Sequence, residues 1–127
     1  MSHTITAEPE GFRVEVHGRL TTTAAFAVID GLDANGADDS HRYELIDLRC
    51  AAPLGLSHVD LHAIARRAMK STRRKGVRLA LVGSDGTLGT NGRDYAHILG
   101  TWMSTTAWDV RTFPELDAAK AWAVAAS

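Results

Sequence analysis

The chain is short of everything that marks a stapled, fibrous or membrane-borne protein. Its 127 residues include one cysteine, Cys50, which excludes an internal disulfide and fits a reducing, cytoplasmic setting. Three prolines and eleven glycines without a repeat exclude a collagen-like or low-complexity chain. No stretch approaches the roughly 20 apolar residues of a spanning helix. Met1–Glu10 holds two acids and no apolar run, so it does not read as a signal peptide. The formal net charge is −1, and global charge gives no reason to expect a nucleic-acid partner. What remains is 45% apolar and 23% charged residues, the composition of a soluble domain. The length fits one compact domain over 1–127, burying roughly two thirds of the unfolded surface without metal or disulfide.

The charge is unevenly spread. Residues 1–48 carry −6, residues 49–78 carry +7 and the rest −2. The basic block suits an acidic partner or a phosphate, but cations also collect at a helix C-terminus, where the macrodipole favours them.

Phe12–His17 alternates apolar and polar residues, the pattern of a half-buried strand, and Gly18 ends it. A strand at Thr4–Ala7 pairs with it through a turn at Pro9, Glu10 and Gly11. Thr21, Thr22 and Thr23 offer N-cap hydroxyls to a helix with Ala25, Phe26, Ile29 and Leu32 on its apolar face. Tyr43–Leu48 is a largely buried strand. Ser57-His58-Val59-Asp60 has the form of a capping box, opening a helix with a core stripe of Leu61, Ile64, Ala65 and Ala68. Val77–Val82 is the most apolar strand. Tyr95–Ser104 reads as a helix and Trp108–Phe113 as a last strand. Pro114 opens a final helix in its first turn, with Leu116, Ala119, Trp122, Ala123 and Ala126 buried. Alternating strands and helices give a mixed α/β fold. Its sheet is mostly parallel, with about five strands, an antiparallel edge hairpin and about four helices.

This order resembles the SpoIIAA-like family, bacterial domains related to STAS domains and to the lipid-binding module of Sec14-type proteins. The residues that carry the resemblance are Gly18-Arg19-Leu20-Thr21, Asp47-Leu48-Arg49, the helix Leu61–Lys70, the strand Val77–Val82 and the ending from Val110 to Trp122. The resemblance spans nearly the whole chain and implies a small, non-catalytic cytoplasmic domain. Sigma-factor regulators of the STAS group use a serine in an Asp-Ser-Ser-Gly stretch where this chain has Gly55-Leu56-Ser57-His58. Ser57 is the one hydroxyl kept there.

His58 and His62 stand one helical turn apart, a spacing that can share a metal. However, Val59 replaces the glutamate a metalloprotease helix needs, the third ligand has only His97 or Asp60 as candidates, and Arg66 continues the row. No metal or other cofactor is expected. Gly83–Gly92 follows a strand and precedes a helix, a place for an anion, yet its glycines fit neither phosphate-loop pattern and Arg93 is its one nearby cation. Ser57 and Ser84 lack a nucleophile elbow, and Cys50 reads as a small buried cysteine. Trp102, Trp108 and Trp122 read as core or as a dimer contact.

The sequence therefore predicts a non-enzymatic regulatory or protein-interaction module. Its working surface is Leu54–Lys75, with Ser57 as a phosphate acceptor at the helix start and His58, His62 and Arg66 as an exposed contact row. The alternative is a binder of a small apolar or anionic amphipathic ligand, lipid-like, held between helices and sheet with Arg66, Arg67 or Arg93 at its head group. A metal-dependent enzyme using His58 and His62 is the remote third reading. The partner is another protein or such a ligand, and a homodimer is compatible with the pattern.

Overall fold

The computed structural model describes residues 2–19, 21–35, 42–50, 57–70, 78–83 and 109–125. Strands β1 (Ser2–Glu8) and β2 (Gly11–His17) form the antiparallel hairpin, turning at Pro9-Glu10. Helix α1 (Thr22–Asn35), strand β3 (Tyr43–Asp47), helix α2 (His58–Met69), strands β4 (Arg78–Val82) and β5 (Asp109–Phe113) and helix α3 (Leu116–Val124) follow. The five strands lie side by side in chain order, and every pair after the hairpin is parallel. The expected mixed sheet with its antiparallel edge is present. Three helices fall among the described residues, and the expected helix at 95–104 lies outside them.

The strand alternation sorts side chains between two layers. Phe12, Val14 and Val16 on β2 are buried, while Arg13 and Glu15 between them are half-exposed. Register carries the first set onto Ile46 of β3 and Leu81 of β4. Against this face α1 packs Ala25, Val28, Ile29 and Leu32. The opposite face, Tyr43, Leu45, Ala80 and Val82, is covered by Ala119 and Ala123 of α3, with Phe113, Leu116 and Trp122 at the margin. Alanines let the helix backbone approach the sheet closely. Gly11 is required for a related reason: a Cβ there would collide with the Tyr43 carbonyl oxygen on the neighbouring strand.

Four details depart from the sequence expectation. Phe26 is half-buried rather than core, because α1 turns that side toward α2, where the Arg67 guanidinium lies 5.8 Å from its ring centre. Pro114 stands before α3 rather than in its first turn, since Glu115 takes the N-cap position with extended backbone. Gly11 belongs to β2, not to the turn. Cys50 is exposed, lying in the turn after β3.

Candidate functional site

Parallel strands place the carboxyl ends of β2, β3 and β4 on one edge, where open α/β sheets present their loops. Two constructions stand there. The first is Asp47, 8% exposed at the end of β3. Its Oδ1 accepts the Arg49 backbone N–H at 3.0 Å and Nε–H at 2.9 Å, and its Oδ2 accepts Nη2 at 2.8 Å. Burial pushes the Asp47 carboxyl up. The hydrogen bonds from Arg49, with the charges of Arg49 and Arg13, outweigh burial and hold it below the usual carboxylate range. Beside it on β2, Arg13 Nη2 donates to Glu15 at 2.6 Å. Asp47 and Arg49 satisfy one another and brace the turn after β3, whereas the buried Nε of Arg13 has no hydrogen-bond partner among the described residues.

The second construction is the start of α2. Asp60 N–H donates to Ser57 Oγ at 3.2 Å, and Ser57 N–H donates to Asp60 Oδ2 at 3.0 Å. This is the capping box expected from the sequence, with the shorter Asp in the Glu position. Hydrogen bonds to the carboxylate from the Ser57 backbone N–H and side chain, with a further one from Thr22 of α1, hold the Asp60 carboxyl below its ordinary range. Farther along, Arg67 is paired with Asp30 of α1, and Ile64 is fully buried between these contacts. One side of α2 is thus fastened to α1.

The other side faces outward. Val59 is 77% exposed, an unusual state for a large apolar residue, and it shares its stripe with Ala63, Arg66 and Lys70 at helical spacing. Ser57 is exposed at the start of the helix. Sequence reasoning missed Val59, although a valine between polar neighbours off the core stripe was the available signal. The expected row of His58, His62 and Arg66 is not uniformly exposed: Arg66 is, whereas His62 is half-buried. The His58 side chain, Leu54, Lys75, Arg93, His97 and most of the glycine-rich loop lie outside the described residues. Among the described residues, no group of three His, Cys, Asp or Glu side chains could hold a metal.

The basic block is partly spent inside the fold. Arg49 serves Asp47 and Arg67 serves Asp30, while Arg78 lies 4.9 Å from the Trp122 ring centre and donates to the Trp122 carbonyl. Arg66 and Lys70 are left exposed near the end of α2. An apolar void of about 40 Å³ lies between α1 and the sheet, lined by Val16, Val28, Leu32 and Leu81 among others. That is far below the 300–1,000 Å³ typical of small-molecule pockets. A larger groove of about 270 Å³ at the opposite edge is lined by Glu8, Glu10, Tyr43, Lys120 and Val124. There Tyr43 donates to Glu8 at 2.5 Å; burial, this bond and the nearby acids push the phenol well above its ordinary range. No described helix is long and apolar enough to cross a membrane.

The three-layer arrangement, with its parallel sheet in chain order and terminal hairpin, is a fold of the SpoIIAA-like, STAS-related type. A solved structure with this fold is an anti-sigma factor antagonist from Mycobacterium paratuberculosis, matched at a TM-score of 0.58. The match covers 97% of this chain and 93% of that one at 20% identity. No family model matches the chain, and no curated protein matches its sequence.

Proposed function

We propose that the chain is a non-enzymatic regulatory module that binds another protein through the outer surface of α2, as an antagonist of an anti-sigma factor. The observation that carries this reading is the outward stripe of Val59, half-buried Ala63, Arg66 and Lys70, with Ser57 exposed at the helix start, on a helix fastened to α1 by Asp60 and Arg67. An apolar residue beside a capped helix start gives an anchor, and two cations farther along select a partner surface carrying acids. The fold shared with an anti-sigma factor antagonist supports the choice of partner class. The small void under α1 gives no support to a lipid-like ligand.

Ser57 is the regulatory point in this reading. A phosphate on its Oγ would bring about −1.5 to −2 charges next to the Asp60 carboxylate, which already fills the capping position. The added charge opens the capping box and repels an acidic partner. Phosphorylation therefore releases the complex.

The test is calorimetric titration of the purified chain against each anti-sigma factor encoded by the same organism. The expected result is binding to one of them, weakened at least about tenfold by Val59→Asp and by Ser57→Asp, but unchanged by Val124→Asp on α3. Absence of binding to every anti-sigma factor, or binding indifferent to Val59→Asp, overturns the proposal.

A further inference from the structure

Among the described residues the sheet ends at β1 on one side and β5 on the other, and the chemistry of these two edges differs. Strand β5 carries Asp109 and Arg111 within its five residues and is followed by Pro114, the charges and proline by which edge strands resist pairing. Strand β1 lies at the other end of the strand order, and among the described residues it pairs with β2 alone. Its seven residues, Ser-His-Thr-Ile-Thr-Ala-Glu, contain no fixed charge before Glu8 and no proline, and their centre is β-branched. Thr4 and Thr6 are exposed on the side of the sheet that holds α3, and their cross-strand neighbours are Glu15 and Arg13.

We propose that β1 is the docking edge for a second copy of this chain, joining two five-stranded sheets into one of ten strands. Antiparallel pairing about a two-fold axis at Ile5 uses all seven residues. It sets Ile5 against its own copy, Thr4 against Thr6 of the second copy, and His3 against Ala7. The edge is self-complementary in charge because it has none to oppose at its centre. Directly opposed Thr–Thr pairs are favourable in antiparallel sheets.

The helix beside this edge turns small residues toward it. Gly31 of α1 faces Ile5 so closely that a Cβ there would stand 2.8 Å from Ile5 Cδ1. Helical spacing puts Ala24, Ala27 and Ala34 on the same flank, with Ala27 and Ala34 exposed. Directly opposed residues point to the same face, so the two copies of α1 face each other over the joint with small residues on their near flanks and His3 and Ile5 of each β1 beneath them. The α2 stripes lie beyond α1, away from the joint. The pair thus presents two partner-binding surfaces at once, although the pairing does not depend on the role proposed for α2.

Sedimentation of the intact chain across a concentration series up to on the order of 100 µM reads the mass. A reversible dimer is expected. Thr4→Lys with Thr6→Lys places lysine opposite lysine twice across the axis, and dimer dissociation should strengthen about tenfold or more. Thr4→Lys with Thr6→Glu makes both cross-axis pairs opposite in charge and should restore the dimer. Circular dichroism on each variant checks that the fold is kept. A wild-type chain that remains monomeric throughout overturns the proposal. So does a dimer that survives the double lysine variant, or one that the Lys/Glu variant fails to restore.

Discussion

Helices α2 and α3 are both amphipathic and both follow a strand, yet they are held by different means. Helix α3 has no side-chain cap; Glu115 contributes only its backbone position. It stays because Ala119 and Ala123 are fully buried on the sheet, and because Trp122 packs on Phe113 at 5.4 Å between ring centres, with Arg78 and Arg111 both close to its face. Helix α2 begins with a reciprocal cap and is tied to α1 by charge, with Ile64 as its one described side chain that is fully buried. A helix fixed by its start and one flank can leave its remaining surface for a partner. A helix fixed by its buried face is committed to the core.

That contrast is broken most severely at Ile64. Ile64→Ala should cost about 3 kcal/mol in denaturant unfolding, since Ile64 is fully buried on the inner side of α2. Trp122→Ala should cost about 2 kcal/mol by the same measurement, less than for a fully buried tryptophan because Trp122 is half-exposed. If Trp122→Ala proves the more damaging, α3 has the stronger anchor.

A smaller effect, about 1–2 kcal/mol at neutral pH, is expected for Asp47→Asn, which loses the charge-assisted bonds from Arg49. Its pH dependence has a definite sign. The Asp47 carboxyl titrates lower in the folded chain than in the unfolded one, so its contribution is complete above the unfolded value of about 3.9. The contribution fades as pH falls through the depressed folded value, so the wild-type and variant unfolding curves should converge in strong acid. The smallest expected losses and gains lie at the caps. Ser57→Ala should cost about 1 kcal/mol, whereas Glu115→Ser should add about 0.5 kcal/mol by supplying the hydroxyl α3 lacks. Equal effects of opposite sign would show that the two helix starts differ only in capping.

Local pattern made much of this legible in advance. The alternation in Phe12–His17 marked β2 because one of its faces is buried, and Ser57 with Asp60 marked the start of α2 because capping is a short-range event. The position of Pro114 was misjudged by a residue or two, as helix ends often are, because Glu115 serves as N-cap by backbone shape alone. The surface was harder to read. Whether His62 is covered depends on what packs beside α2, and periodicity along one helix does not report that. Cys50 followed an apolar strand and looked buried, but the turn braced by Asp47 and Arg49 carries it outward.

The strand order has a consequence for how the molecule is made. Each new strand pairs with the one synthesised just before it, so the sheet can be assembled from the N-terminus as the chain leaves the ribosome, without waiting for distant partners. Its cover arrives in two instalments. Helix α1 shields one face early, while Tyr43, Leu45, Ala80 and Val82 on the other await α3, which follows every strand of the sheet. Until α3 has been made, the nascent domain has one covered side and one adhesive side, and chaperones would find their target on the latter.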